Sequence, residues 1–137
     1  MSRLEDMVVQ AADTRERAHA PYSGFKVGAC LKTADGRLFA GCNVENVAYP
    51  QSQCAEATAI GIMVAAGQKT IVEVVIVAES DRLCTPCGGC RQRLAEFAAP
   101  DTPVHICSPQ GLIESFTLGD LLPAAFTFEP PAPGSQG

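Results

Sequence analysis

Apolar residues recur along this chain with two different periods, and the switches between them mark its elements. Leu4, Met7, Val8, Ala11 and Ala12 stand at helical spacing with charges between them, which predicts a helix over residues 4–19. Pro21-Tyr22-Ser23-Gly24 breaks it. Residues 26–33 and 37–42 read as strands joined by the hairpin signal Ala34-Asp35-Gly36. A polar loop over 43–53, containing Tyr49-Pro50, leads into a helix over 54–66. Ile60, Met63 and Val64 line one face of that helix, Ser52 is placed to cap it, and Gly67 stops it. Residues 71–78 form a β-branched run with few polar interruptions, as expected of a strand covered on both faces. Pro86 opens a helix over 87–98 with Leu94, Phe97 and Ala98 turned inward. Strands over 104–108 and 112–118, then a turn of helix at 120–122, complete the pattern. This order predicts an α/β fold in which a mixed sheet of five strands carries helices on both faces.

Composition narrows the class. The chain has 137 residues, which implies one domain, placed at 1–128. Residues 129–137 hold three prolines and two glycines and are expected to form a disordered tail. A net charge of −5 speaks against a nucleic-acid partner. The longest apolar runs, at 62–66 and 74–78, fall far short of a membrane span. Residues 1–20 carry four acidic side chains and no secretory apolar core, so no signal peptide is expected. Seven cysteines, an odd number without an export signal, point to a reducing, cytoplasmic setting.

Those cysteines carry the candidate chemistry. Cys30, Cys42 and Cys107 fall in or at the end of predicted strands and read as packing residues. Cys54 opens one predicted helix, and Pro86-Cys87-Gly88-Gly89-Cys90 opens another. Cys87 and Cys90 share a helical face and can bite a single metal ion. Helix N-termini favour thiolates, so three thiolates from two helix starts make a tetrahedral zinc site with one position open. Glu56 points about 200° round the helix from Cys54, which makes it a poor fourth ligand. From the first turn it can lean over the open position and take a proton from water on zinc. Cys-x-x-Cys spacing also serves redox and structural zinc sites, and Cys84 could complete a closed four-cysteine set.

Taken together these segments resemble the small, homotetrameric zinc-dependent cytidine deaminases of pyrimidine salvage. The split zinc-deaminase signature is a described pattern. The resemblance runs from about Ala20 to Phe128. It includes residues 22–29 (Tyr-Ser-Gly-Phe-Lys-Val-Gly-Ala), 41–46 (Gly-Cys-Asn-Val-Glu-Asn) and 86–92 (Pro-Cys-Gly-Gly-Cys-Arg-Gln). It implies a three-layer α/β/α fold, one zinc per subunit, and hydrolysis of cytidine or 2′-deoxycytidine to the uridine product plus ammonia. By position, Cys54, Cys87 and Cys90 resemble the zinc ligands, and Glu56 resembles the proton shuttle. Asn43 and Glu45 resemble the ribose-binding pair, although alone they read as loop-turn residues. Phe25 resembles the aromatic on the base, although a lone Phe in a strand is usually core. Ala55 resembles the residue whose backbone meets the base edge. Tyr49 and Phe126 resemble aromatics lent across subunit boundaries.

One position departs from the pattern. Many members of that family have Arg directly after the catalytic Glu, and here stands Ala57. Zinc with three thiolates carries a charge of −1, which must be offset if a water there is to be acidic. Arg91, next to Cys90, is the first candidate to donate to a ligand sulfur, with Arg93 second; a solvated helix residue is the alternative for Arg91. Two other functions compete. A deaminase of another aminopyrimidine nucleoside, such as an aminoacyl-nucleoside antibiotic, would share the scaffold. A structural zinc module acting as a binding protein would share the cysteines but has no use for Glu56. The preference between ribose and deoxyribose is not written in these motifs.

Overall fold

The computed structural model describes residues 3–79 and 83–127; the tail expected at 129–137 lies outside them. In chain order the elements are α1 (Leu4–Arg15), β1 (Val27–Thr33), β2 (Leu38–Cys42), α2 (Ala55–Ala65), β3 (Ile71–Ala78), α3 (Gly88–Ala95), β4 (Pro103–Ser108), β5 (Gly111–Thr117) and α4 (Leu118–Leu121). A single 3-10 turn at Tyr49–Gln51 interrupts the loop between β2 and α2.

The five strands form one sheet in the order β2-β1-β3-β4-β5. Only β3 and β4 run parallel, and α3 makes the crossover between them. The other neighbours are antiparallel, so the sheet is mixed. Alternation along the strands sorts the core into two layers. Ala29, Leu31, Val74, Ile76, Val104 and Ile106 pack on one face with Ala59 and Met63 of α2 and Leu94 of α3. Cys30, Val75, Val77 and Cys107 pack on the other face with Met7 and Ala11 of α1. The result is the expected α/β/α arrangement, and β3 is buried on both sides from Val74 to Ala78, where its apolar run is continuous. No helix of the described residues is long and apolar enough to cross a membrane.

Several boundaries differ from the sequence pattern; for α1 and α3, a long-range contact wins. The helix expected to reach residue 19 ends at Arg15. Beyond it, His19 donates its N–H to the Asn43 carbonyl and accepts from the Glu45 N–H, which pulls this stretch out of the helix and against the loop after β2. The helix expected to reach residue 98 ends at Ala95, because Phe97 turns its carbonyl to the Ile71 N–H. Ser52 does not cap α2: Cys54 is the N-cap residue, and Ser52 Oγ instead accepts from the Asn46 N–H. Val64 stays on the outer side of α2, while Ile60 and Met63 are buried. The last helical turn starts at Leu118, fixed by a Thr117–Asp120 capping box.

One glycine decides how α2 sits. A Cβ on Gly41 would lie 2.4 Å from the backbone nitrogen of Ala59. β2 and α2 therefore meet backbone to backbone, which only glycine permits. That close approach seats the first turn of α2, and the side chains it carries, against the sheet.

Candidate active site

The N-termini of α2 and α3 bring three sulfurs together. Cys54 is the N-cap residue of α2, Cys87 is the N-cap residue of α3, and Cys90 follows in the first turn of α3. The three Sγ atoms lie within 4.8 Å of one another, and Cys54 and Cys87 are 3.8 Å apart. Four-coordinate zinc with sulfur at about 2.3 Å places its ligands about 3.8 Å from each other. The donor set therefore fits one tetrahedral zinc ion with one position to spare. None of the seven cysteines is in a disulfide. Cys84 lies on the wall of the neighbouring cavity, outside the sulfur trio.

The thiols are not equivalent. Burial pushes Cys54 and Cys90 up, and the nearby Glu56 carboxylate pushes both further. Cys87 is exposed at the mouth. Desolvation is the largest single influence on it, but the Cys90 backbone N–H and the neighbouring thiols together outweigh it, favour its thiolate and hold it below the usual thiol value.

Glu56, in the first turn of α2, is only 4% exposed. Burial raises its carboxyl above the usual carboxylate range, against the opposing positive field of Arg93. Raised carboxyls in clefts suit groups that must give a proton as well as take one.

A cavity of about 300 Å³ opens in front of Glu56. That volume suits a small molecule. Cys54, Ala55, Glu56 and Cys87 line it together with Phe25, Val27, Asn43, Glu45, Ile76 and Thr85. Of the residues expected at a substrate site, Phe25, Asn43, Glu45 and Ala55 are thus gathered here. Tyr49 and Phe126 are not: they do not line this cavity, and they are 69% and 76% exposed. Tyr49 sits edge-on against Tyr22, with ring centres 5.7 Å apart.

Asn43 and Glu45 are tied into the loop that carries Phe25. Asn43 Oδ1 accepts from the Val27 N–H and Nδ2 donates to the Phe25 carbonyl. Glu45 accepts from the Tyr22 and Ser23 N–H groups and from Ser23 Oγ. The Ser23 hydroxyl, ahead of these N–H groups, holds the Glu45 carboxyl below its usual range. An amide offers two N–H donors, and a carboxylate has about four lone-pair positions. One N–H of Asn43 and one lone pair of Glu45 remain after these bonds.

The arginine expectation needs correction. Arg91 does not reach a sulfur: its Nε donates to the Pro86 carbonyl, Nη1 to the Leu121 carbonyl and Nη2 to Thr85 Oγ1. Arg93 Nη1 lies 3.7 Å from Cys90 Sγ instead. The physical reason is helical spacing, since neighbours in sequence face different ways and residues three apart share a side. Ser23 and Thr85 were not singled out by the sequence. Ser23 had a visible signal, because it stands in the turn just before Phe25; Thr85 had none.

A family model for the cytidine and deoxycytidylate deaminase zinc-binding region matches residues 1–106. A cytidine deaminase of Sporosarcina psychrophila is 40% identical over 126 residues, covering 92% of this chain and 93% of that protein. A cytidine deaminase of Halalkalibacterium halodurans is 42% identical over 123 residues, covering 90% and 93%. The crystal structure of a cytidine deaminase from Burkholderia pseudomallei superposes with a TM-score of 0.85 at 42% identity, covering 92% of this chain and 100% of that one.

Proposed function

This chain belongs to the cytidine and deoxycytidylate deaminase family, and from that premise we propose that it is a zinc-dependent hydrolase converting cytidine and 2′-deoxycytidine to uridine and 2′-deoxyuridine plus ammonia. The observation that carries this reading is a nearly buried carboxyl, Glu56, beside a three-sulfur cluster with one position to spare, both on the wall of one small cavity. Cys54, Cys87 and Cys90 would hold zinc, whose Lewis acidity makes a water reactive near neutral pH.

The chain's own residues do the rest. Phe25 packs on one face of the base, and the Ala55 backbone at the start of α2 meets its edge. Glu56 takes a proton from the attacking water as oxygen bonds to C4 and delivers it to ring N3. It then serves the departing amine, so that water and cytidine become uridine and ammonia with atoms and charge balanced. The remaining N–H of Asn43 and lone pair of Glu45 offer one donor and one acceptor, which match a sugar hydroxyl. Both nucleosides carry the 3′-hydroxyl, so this pair favours an ordinary nucleoside over a base alone.

The decisive assay follows the fall of the cytidine absorbance band on adding protein, with a chelator-treated control and an aminoacyl-nucleoside antibiotic as a parallel substrate. Chelator-sensitive loss of cytidine and deoxycytidine supports the proposal. Turnover of the antibiotic alone would assign the rival activity, and zinc binding without any turnover would make the chain a structural zinc module.

We further infer a homotetramer with shared sites, working in the cytoplasm in nucleoside salvage. The support is the exposure of Tyr49 and Phe126, two aromatics left outside their own chain's cavity. Gln92 Nε2 donates to the Phe126 carbonyl, which holds the segment beside α3. Phe126→Ala is expected to weaken substrate binding without unfolding the subunit. Mixing it with Glu56→Ala subunits should restore part of the activity, because a hybrid site can combine an intact Glu56 with an intact Phe126. No rescue in verified hybrids would defeat the shared site.

A further inference from the structure

We propose that Arg93 is a positioning residue: its guanidinium donates to the Cys90 sulfur and anchors zinc in the three-cysteine site. The inference deepens the functional reading above and rests on its assignment of the metal ligands.

Three observations point the same way. Arg93 Nη1 lies 3.7 Å from Cys90 Sγ, within reach of a hydrogen bond to sulfur. Cys90 is fully buried, so water cannot solvate its thiolate, and a donor from the protein must. The other arginine of α3, Arg91, is turned away from the sulfurs and held by two carbonyls and a hydroxyl, and position 57 on the first turn of α2 is alanine.

The need for such a group follows from charge. Three thiols each release a proton on taking up zinc, and the product carries a net negative charge beside the Glu56 carboxyl. A fixed cation on the buried sulfur stabilises that anionic product more than it stabilises the less negative metal-free site. Arginine suits the role because its guanidinium stays charged at all working pH values and presents several donors at once. The i,i+3 spacing from Cys90 lays the side chain along the same helical face as the sulfur. Its charge also faces Glu56, which keeps the carboxyl and the sulfur cluster under one field.

The experiment measures zinc affinity by competition with a chromogenic chelator at fixed pH, and melting temperature with and without zinc. The proteins are wild type, Arg93→Met and Arg93→Lys. Arg93→Met is expected to weaken zinc binding about 10–100-fold, the range for groups that support metal ligands. Arg93→Lys, which keeps the charge, should recover part of that loss. The metal-free forms should melt close together, while the rise in melting temperature on adding zinc should shrink in Arg93→Met. Wild-type affinity in Arg93→Met would overturn the proposal. So would an equal fall in both melting temperatures with affinity unchanged, since that is the mark of packing alone. A wild-type chain that takes up no zinc would instead overturn the ligand assignment, and this inference with it.

Discussion

Replacing Glu56 by Gln is expected to leave zinc bound and to lower turnover by at least ~10²-fold, the smaller end of what a positioned acid–base group contributes. The amide fills the same space in the first turn of α2 but cannot take a proton from water or return it to the base. Loss of activity in this variant is not expected to come from unfolding. Burial raises the Glu56 carboxyl in the folded chain, so folding favours its protonated form. In the metal-free wild type that preference is fully stabilising below the ordinary carboxylate pKa. It is lost as pH rises through the raised value. Gln stays neutral throughout, so metal-free Glu56→Gln should be at least as stable as metal-free wild type at neutral pH, with the gap closing in acid. The measurements are steady-state turnover of cytidine, zinc content, and melting temperature across that pH range. Turnover within a few-fold of wild type, with zinc bound, would remove Glu56 from the mechanism.

What the sequence made legible was local, and what it hid was set by distant partners. The run at 71–78 announced β3 to the residue, because a strand buried on both faces needs no partner to be recognised. The cysteine trio was visible because spacing within one helix start fixes Cys87 and Cys90 on a common side. The parallel pairing of β3 with β4, and their place between β1 and β5, could not be read, since strand order depends on contacts across the whole chain. The early end of α1 was hidden for the same reason: the pairing of His19 with the Asn43–Glu45 stretch overrides a helical pattern. Arg91 and Arg93 show the finer limit. Adjacency to Cys90 favoured Arg91, whereas helix geometry gives the sulfur to Arg93 and turns Arg91 toward the Leu121 carbonyl.

Removing any one sulfur of the trio is expected to abolish zinc binding and activity together, because each would supply one of the three protein donors found among the described residues. The three substitutions differ in how cleanly they can be read. Cys90 is fully buried and Cys54 partly so, and alanine at either leaves a small void in addition to the lost ligand. Cys87 is exposed, so Cys87→Ala removes a donor at almost no packing cost and isolates the metal effect. Its metal-free form should melt with metal-free wild type, while zinc should no longer raise its melting temperature. Cys84→Ala is the matched control: Cys84 lines the cavity one turn of chain away, outside the sulfur cluster. It should keep one zinc per chain and most of the activity. Zinc content by elemental analysis, read beside turnover for Cys54→Ala, Cys84→Ala, Cys87→Ala and Cys90→Ala, checks the set. A zinc-free Cys84→Ala alongside a zinc-loaded Cys87→Ala would move the metal to a different group of sulfurs. Zinc retained in Cys87→Ala with activity lost would mean that the exposed thiol acts on substrate instead of holding the ion.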